Sequence, residues 1–520
     1  MCHEPIVPHL AERVGGGAVG DAGIEDGWVS TRRWLFGDQL GPHFVDDDGQ
    51  GVLMVESRRV FARRRFHRAK AHLVLSAMRH RAAELGARCE YVESDTYGRV
   101  VRDAGALTVC QPTSYAADRL VRSLPGVEVI PARGFVTSRE DFERWAQGRG
   151  QRRLLMEDFY RESRRRLDVL MDGDEPVGGR WNLDADNRQP PPKGATTLGL
   201  AEPWWPVEDG IDEQVRADLD RWERAGDVSF VGDDGPRRFA VTRAEALRVL
   251  DDFVEKRLAA FGPYEDAMLS ADSWLAHSTI SAPMNLGLLD PVEVVERVEQ
   301  AYRDGDVPLA SAEGFIRQVV GWRDYVWHLY WHLGEDYRHR NELKATTPVP
   351  QWFWDLDADA VQARCLSQVL RGVKQHGWAH HIPRLMVLGN YAMQRGWDPA
   401  EVTRWFHNSF VDGYDWVMVP NVVGMSQYAD GGVMATKPYA AGGAYIDRMS
   451  DFCKPCGYDP KVRVGEKACP FTAGYWWFLQ RNRQRLTGNF RMAQPLRGLD
   501  RLRDLEALVA QEEKRGSTVP

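Results

Sequence analysis

The first third of the chain alternates short apolar runs with longer amphipathic segments. The runs "RRWLFGDQL", "GVLMVES", "CEYVES", "ALTVCQP" and "VEVIPA" have the length and composition of buried strands. The longest segment between them, "FHRAKAHLVLSAMRHRAAELGA", repeats its apolar residues at helical spacing. Strands and helices that alternate through short connections predict a doubly wound parallel sheet over about residues 31–165.

The pattern changes twice after this α/β segment. Proline, glycine and polar residues interrupt any periodicity, beginning with "DGDEPVGGRWNLDADNRQPPPKGATT", and they predict an interdomain linker over residues 166–240. Helical periodicity then continues toward the end of the chain, as in "TRAEALRVLDDFVEKRLAAF" and "AEGFIRQVVGWRDYVWHLYWHL". The sequence therefore predicts an all-α domain over residues 241–515, and the glycine-rich residues 1–30 are predicted to form a flexible tail.

The composition agrees with a globular protein of two or three domains. The chain has 520 residues, of which 43% are hydrophobic and 27% are charged. No apolar stretch reaches the roughly 20 residues that cross a bilayer, and no secretory signal is recognised, so we expect a cytoplasmic protein without a membrane partner. The net charge of −8 predicts no general attraction to nucleic acid, although a local basic surface could still provide it.

Three cysteines near the end of the chain follow the pattern C-x2-C-x12-C. The short gap lets Cys453 and Cys456 reach one metal centre, with Cys469 as a third ligand. A fourth ligand must come from farther away, either Cys365 or a distant histidine. Zinc sites made only of cysteine tend to use two C-x2-C pairs, so this spacing favours an iron–sulfur cluster over zinc, with unligated thiols as the remaining alternative.

Polar residues of the helical region are candidates for ligand binding, although each also has an ordinary structural explanation. The hydroxyl-rich string "HSTIS" could hold a phosphate at a helix start, or it could simply cap that helix. The imidazoles of His380 and His381 titrate near neutral pH and suit acid–base work or ligand contact. Arg323 and Arg384 would supply positive charge, unless salt bridges within helices occupy them.

A second group of candidates lies in and around "FVDGYDWVMVPNVVGMSQYADGG". Asp412, Asp415 and Asn421 stand there among glycines and large apolar residues. Such a mixture is typical of backbone that approaches a flat ligand, and also of a plain buried loop. Oxidisable rings near a redox cofactor could pass electrons, although core packing is their ordinary role; these rings belong to Trp354, Trp405 and Tyr414.

Together these segments resemble the photolyase/cryptochrome superfamily, and within it the bacterial iron–sulfur branch of prokaryotic (6-4) photolyases and cryptochrome-like relatives. The resemblance is carried by "FGDQL", "LSAMRH", "GGRWNLDADNR", "HHIPRLMVLGNYA", "DWVMVPNVVGMSQYADGG", "KPYAAGGAYIDRMSDFCKPC" and "CPF", and it spans nearly the whole chain after residue 30. It implies an N-terminal α/β antenna domain, a long linker, and a C-terminal helical domain that holds FAD in a U-shaped conformation.

The resemblance also implies the ligands of three cofactors. A 4Fe-4S cluster would be held by Cys365, Cys453, Cys456 and Cys469. FAD, with Asn421 at the edge of the flavin ring, would contact Tyr264, Ser278, Thr279, Ile280, Ser281, Gln318, Arg323, Arg384, Asp415 and Asn421. Relatives often bind 6,7-dimethyl-8-ribityllumazine as an antenna, and in a doubly wound sheet its place would be at the ends of the first two strands, near Gly37, Asp38, Gln39 and Glu56.

The activity implied by the resemblance is a lyase reaction: light excites reduced FAD, which donates an electron to a (6-4) photoproduct in DNA, and repair ends with electron return. His381, together with His380, would donate the proton. Trp405 and Trp354 would relay electrons during flavin photoreduction, assisted by Tyr414. Phe406 departs from relatives that carry tyrosine there, because phenylalanine lacks the hydroxyl of an equivalent relay.

The expected partner is damaged DNA, bound by a monomer with the lesion flipped into the flavin cavity. The segment "KPYAAGGAYIDR" is a candidate part of the DNA surface. A blue-light photoreceptor of the cryptochrome type, with the same cofactors and no repair activity, is the alternative function. A zinc-clasped nucleic-acid-binding protein without flavin would explain the cysteines, but it leaves "HSTIS" and the loop around Asn421 without a role.

Overall fold

The computed structural model describes residues 31–520, so the predicted flexible tail over residues 1–30 lies outside the described residues. The five apolar runs form one parallel sheet with the strand order β3-β2-β1-β4-β5. The strands are β1 Arg32–Leu35, β2 Val52–Ser57, β3 Cys89–Ser94, β4 Leu107–Cys110 and β5 Val127–Ile130. The strand order reverses direction at β1, and the predicted doubly wound sheet is confirmed.

Both faces of this sheet are buried because consecutive side chains of a strand point to opposite sides. Leu35 and Met54 pack into one apolar cluster, whereas Trp34 and Leu53 pack into another. The helices of this part of the chain are Arg58–Ala62, Arg68–Leu85, Tyr97–Asp103, Tyr115–Ser123, Arg139–Arg149 and Met156–Leu167.

The predicted linker is more ordered than its composition indicates. It contains helix Gly210–Arg224, which begins at a reciprocal capping box between Asp209 and Asp212. The helix packs against Arg68–Leu85 through an apolar face that includes Val215, Leu219 and Trp222. Short strands Phe66–His67 and Phe230–Val231 pair in parallel. A second short pair joins Met171–Asp172 to Glu175–Pro176. Capping and one buried stripe are therefore enough to form a helix inside a proline-rich connection.

The predicted helical domain is also confirmed. Its α-helices are Arg243–Lys256, Leu258–Tyr264, Ser281–Asn285, Pro291–Arg303, Leu309–Ile316, Asp324–His332, Gln351–Trp354, Arg364–His376, Asn390–Arg395, Pro399–Ser409, Asp415–Val419, Gly443–Met449, Pro470–Arg481, Arg483–Leu486, Ala493–Leu499 and Leu505–Arg515. Among residues 31–520, no helix combines the length and apolar character that crossing a membrane requires.

Three helical stretches of this domain are wider than an α-helix. They are the π-helical segments Arg317–Arg323, Pro383–Gly389 and Pro420–Ser426. A π-helical turn shifts the direction of its side chains and recurs at functional sites. Four of the residues expected to contact flavin lie in these segments, namely Gln318, Arg323, Arg384 and Asn421.

Direct hydrogen bonds join the sheet domain to the helical domain. The buried carboxylate of Asp324 accepts from the Val136 amide at 3.2 Å, and from the amide and hydroxyl of Thr137 at 2.6 and 2.9 Å. The Leu40 amide, just after β1, donates to the Leu286 carbonyl at 3.0 Å. The carboxyl ends of the first strands are thereby placed against the helices that carry the candidate site.

Candidate active site and metal centre

Four thiols line one small cavity: Cys365, Cys453, Cys456 and Cys469. Cys365 lies in the first turn of helix Arg364–His376, and Cys469 is the N-cap residue of another helix. Cys453 and Cys456 share a turn in which the Cys456 amide donates to the Cys453 carbonyl at 3.1 Å. Two helix starts and a tight turn thus bring the four cysteines to one cavity, where Cys365 joins the local group of three.

The electrostatics of this cavity favour a bound cation. Burial raises the pKa of Cys365 well above its usual range, and the other three thiols raise it further. Burial, Asp447 and the neighbouring thiols raise the pKa of Cys453 to about 12. Clustered thiolates repel one another unless a metal compensates their charge, so this donor set fits a four-thiolate metal centre.

A glycine leaves room for one of these sulfurs. A Cβ atom built on Gly443 would lie 2.8 Å from Sγ of Cys469 and 3.1 Å from Cα of Pro460. The Gly443 amide donates to Oγ1 of Thr472 at 2.9 Å, which fixes the backbone at this distance. The backbone is therefore held close to the thiol, and a larger residue fits here only if the sulfur moves.

A second constellation is built around the carboxylate of Asp412. Arg384 donates two hydrogen bonds to it at 2.8 and 2.9 Å, and the Ser281 hydroxyl donates to it at 2.7 Å. The Arg384 guanidinium also lies 4.2 Å from the ring centroid of Phe410. Thr279 has a φ of +56°, a conformation that non-glycine residues rarely adopt. The structure thus brings Ser281, the last residue of the hydroxyl-rich string, and Arg384 together through Asp412.

Three histidines form a third constellation. The rings of His277 and His380 stack with centroids 4.1 Å apart and an angle of 19° between their planes. Nε2 of His277 and Nδ1 of His380 are buried and have no hydrogen-bond partner among the described residues. Burial lowers the pKa of both rings well below the usual value, and neighbouring histidines lower it further, so both rings are neutral. Two desolvated ring nitrogens are therefore available to a ligand.

His381 differs from these two rings in exposure and in partner. Its side chain is 46% exposed, and its Nε2 lies 3.3 Å from a carboxylate oxygen of Asp266. Next to it, burial raises the pKa of Glu265 to about 7, an effect opposed mainly by His381 and Arg317. A half-exposed imidazole beside a carboxylate, backed by neutral buried rings, can transfer a proton to or from a molecule that enters the cleft.

The other residues expected to contact flavin are distributed around these groups. Asn421 donates from Nδ2 to the Val417 carbonyl at 2.9 Å. Tyr264 and Gln318 are half-buried, the first at the end of helix Leu258–Tyr264 and the second in a π-helical segment. Ile280 is buried directly before Ser281.

Two further expected flavin contacts, Arg323 and Asp415, also have protein partners. Arg323 donates to the Gly134 carbonyl at 2.9 Å and lies over the rings of Phe135 and Trp416. Asp415 pairs with Arg338 at 2.6 Å and also accepts a hydrogen bond from Tyr330 at 2.8 Å. Their partners hold both side chains within the protein.

A row of aromatic rings begins at Trp405, which is fully buried. Its Nε1 donates to the Phe353 carbonyl at 2.8 Å, and the two rings lie 4.2 Å apart. The row continues from Phe353 to Trp397 at 4.8 Å and then to Trp352 at 6.0 Å. Trp405 shares its apolar cluster with Cys365, so the row passes through the same core as the thiols.

The remaining aromatic candidates lie beside this row. Trp354 is half-buried and has the guanidinium of Arg404 5.9 Å from its ring. Phe406 stacks on Phe410 at 5.4 Å, with 14° between the planes. Burial raises the pKa of Tyr414, whose ring lies 5.6 Å from the Lys70 ammonium.

The candidate antenna residues lie at the carboxyl ends of β1 and β2. Asp38 accepts from the Thr113 hydroxyl at 2.5 Å, and burial raises its pKa. Gln39 donates to the Cys110 carbonyl at 3.0 Å. Glu56 accepts two hydrogen bonds from Arg79 at 2.9 and 2.8 Å and one from Tyr91. A Cβ on Gly37 would approach Val74 to 3.0 Å, so the chain passes close to helix Arg68–Leu85 there.

Sequence reasoning did not select three residues that complete the site. His277 is the first residue of the string "HSTIS", which was selected for its hydroxyls alone, and Asp266 pairs with a histidine that was selected. Asp412 was noted only as one acidic residue of a loop, whereas the structure makes it the centre of the Arg384 clamp. His277 could have been found from its place in that string. The roles of Asp266 and Asp412 depend on contacts between distant segments, which no local signal shows.

Comparisons with known proteins agree with this architecture. The family model described as "Deoxyribodipyrimidine photo-lyase-related protein" matches residues 33–229. A (6-4) photolyase of Agrobacterium fabrum is 41% identical over 488 residues, which cover 89% of this chain and 94% of that protein.

Two solved structures resemble the fold. A bacterial class III photolyase from Agrobacterium tumefaciens has a TM-score of 0.55 at 14% identity, over 89% of this chain and 99% of that one. A Synechocystis sp. PCC6803 cryptochrome has a TM-score of 0.51 at 14% identity, over 76% and 82%. Both of these likenesses concern the fold alone. The likeness in sequence is to the Agrobacterium fabrum photolyase, and it covers 89% of this chain.

Proposed function

Because the chain belongs to the photolyase/cryptochrome family, we propose that it is a (6-4) photolyase, which uses FAD and light to repair (6-4) pyrimidine photoproducts in damaged DNA. The observation that carries this proposal is the group of three histidines. A half-exposed His381 stands beside Asp266, and behind it two buried ring nitrogens, of His277 and His380, lack partners among the described residues. A flipped pyrimidine lesion would supply the hydrogen-bonding groups that these nitrogens lack.

In the proposed flavin site, bound FAD supplies the light-driven electron. The hydroxyls of Ser278, Thr279 and Ser281 would hold its phosphates, and the Asp412 carboxylate keeps the Arg384 guanidinium fixed beside them. Further contacts would come from the half-buried or π-helical positions Tyr264, Ile280, Gln318 and Asn421. Arg323 and Asp415, which already have partners, would contribute by fixing the helices that carry Gln318 and Asn421.

His381 is the proposed proton donor to the lesion. Asp266 lies 3.3 Å from its Nε2, and this contact fixes the orientation of the ring. His277 and His380 are kept neutral by burial, so they form a wall that accepts or donates hydrogen bonds without adding charge. Acid–base work is thereby assigned to the one ring of the three that solvent can reach.

Two further groups are proposed. The four thiols would hold a 4Fe-4S cluster, which would tie the turn of Cys453 and Cys456 to helix Arg364–His376. A lumazine antenna would lie at the ends of β1 and β2 beside Asp38, whose buried carboxyl accepts from Thr113. Electrons for flavin photoreduction would pass through Trp405, with Trp354 and Tyr414 nearby. We also propose that the protein acts as a monomer.

Illumination of the reduced protein with DNA that carries a defined lesion tests the function. Restored pyrimidines from the (6-4) substrate support the proposal, and restoration only from cyclobutane dimers contradicts the lesion assignment. If the flavin is photoreduced and no lesion is repaired, the photoreceptor function stands instead. A protein without flavin and iron absorption after anaerobic purification would contradict both.

A further inference from the structure

The most exposed aromatic side chain among the described residues belongs to Phe490. It is 83% exposed, whereas large apolar side chains are mostly buried elsewhere in the structure. Val433 is also exposed, at 42%, and it lies three residues before Thr436, whose carbonyl accepts a hydrogen bond from Asn489. Exposed apolar groups of this size are unfavourable in water unless a partner covers them, so this pair indicates an interaction surface.

The segment that carries Phe490 is held firmly to the domain. The Asn489 side chain caps the following turn through the Arg491 amide at 3.0 Å. It also donates to the Tyr428 hydroxyl at 3.1 Å and to the Thr436 carbonyl at 3.0 Å. Two residues after Phe490, Met492 is buried in an apolar cluster. The ring is therefore presented on a fixed base, and it does not belong to a freely moving end.

The surroundings of Phe490 are basic. The Arg491 guanidinium lies 5.9 Å from its ring centroid. Arg485, Arg491 and Lys437 are exposed and form no ion pair with a described residue, whereas Arg483 pairs with Asp500 at 2.6 Å. Such a surface suits DNA, because unpaired cations bind the phosphates and an aromatic ring stacks on the bases.

The chain segment that contacts Asn489 also contacts residues next to the histidine site. The segment bonded to Asn489 at Thr436 runs through Tyr439 to Met449, whose carbonyl accepts from the Met268 amide at 2.9 Å. Met268 follows Asp266, the partner of His381, by two residues. Burial raises the pKa of Tyr439, and the charges of Arg491 and Asp266 both act on its phenol. Tyr439 also packs against the apolar cluster of Met492, so it connects the segment that carries Phe490 with the residues next to His381.

We propose that Phe490 is a wedge that enters the DNA duplex where the lesion has been flipped out, while Arg491 and Lys437 hold the flanking phosphates. Flipping leaves a gap in the base stack, and an apolar side chain that fills the gap replaces the lost stacking. This proposal rests on the proposed repair function. It adds the part of the substrate that the histidine site does not reach, namely the duplex around the lesion.

The test compares Phe490→Ala and Phe490→Trp with the natural chain on three DNAs of one sequence. These are a duplex with a (6-4) photoproduct, the same damaged strand alone, and a duplex with two adjacent abasic sites, in which the gap already exists. A 2-aminopurine opposite the gap reports its stacking. Val207→Ala is the matched control, because Val207 is 79% exposed and lies in the linker.

Phe490→Ala is expected to weaken binding about 5- to 100-fold on both duplexes and little on the single strand, because base–aromatic stacking is lost only at a gap. Phe490→Trp should retain binding, Val207→Ala should have no effect, and Arg491→Gln should weaken all three DNAs alike and lower the salt dependence. Equal binding by Phe490→Ala, or equal loss on duplex and single strand, overturns the wedge. If the natural chain does not prefer the (6-4) duplex, the repair function fails, and the abasic duplex still decides the wedge.

Discussion

The variant Gly443→Ala tests whether Cys469 is a metal ligand or a free thiol. The added methyl group would lie 2.8 Å from Sγ of Cys469 and 2.9 Å from Oγ1 of Thr472. Both atoms are at the ends of side chains, so a protein without a metal centre can move them aside. The third neighbour, Cα of Pro460 at 3.1 Å, needs to give way by only a few tenths of an ångström. If the thiol were free, Gly443→Ala would therefore be tolerated with a small loss of stability.

A sulfur that ligates iron cannot rotate away. It must retreat by about 0.6 Å, the difference between 2.8 Å and the 3.4 Å at which ordinary contact begins. Metal–ligand distances tolerate only about 0.2 Å. Overpacking of this kind costs about 1–3 kcal/mol when the neighbours are fixed. We therefore expect Gly443→Ala to fold and to bind flavin, with less than half of the iron of the natural protein.

The assay measures iron and acid-labile sulfide per chain after anaerobic purification, together with the absorbance shoulder of the cluster relative to the flavin bands. Gly457→Ala is the matched control: this glycine follows Cys456 directly, and a Cβ there meets no atom within 4 Å. It should keep its full iron content. Gly443→Ala with as much iron as Gly457→Ala would refute the ligation of Cys469.

Three further changes test the flavin and lesion sites. His381→Ala should abolish repair while flavin stays bound, as product analysis and the visible spectrum will show; surviving repair removes its role as proton donor. Asp412→Asn should weaken FAD binding in equilibrium dialysis more than Asp415→Asn, because breaking the more buried pair with Arg384 costs about 3–5 kcal/mol; equal losses would contradict this. Burial raises the pKa of Glu265 from 4.5 to about 7, so folding stability falls by up to about 3 kcal/mol as pH rises across that range. Glu265→Gln should flatten the loss in thermal midpoint between pH 5 and pH 8, and unchanged slopes would count against the shift.

Local pattern was sufficient for most of the fold. The five strands and the long helices follow from apolar runs and helical periodicity, because each such element buries a face that its own residues define. Helix Gly210–Arg224 was not expected, since proline and glycine around it dominate the composition of the segment. Its capping box and apolar stripe are local signals too, but they occupy only a small part of the linker.

The sequence by itself determined the layered sheet, the helical domain and three of the four clustered thiols, because these depend on neighbours a few residues apart. Only the tertiary structure brought Cys365 to the other thiols, Asp412 to Arg384, and His277 onto His380. Such contacts join segments that are far apart in the chain, and their partners are selected when whole helices pack, which spacing within one segment does not specify.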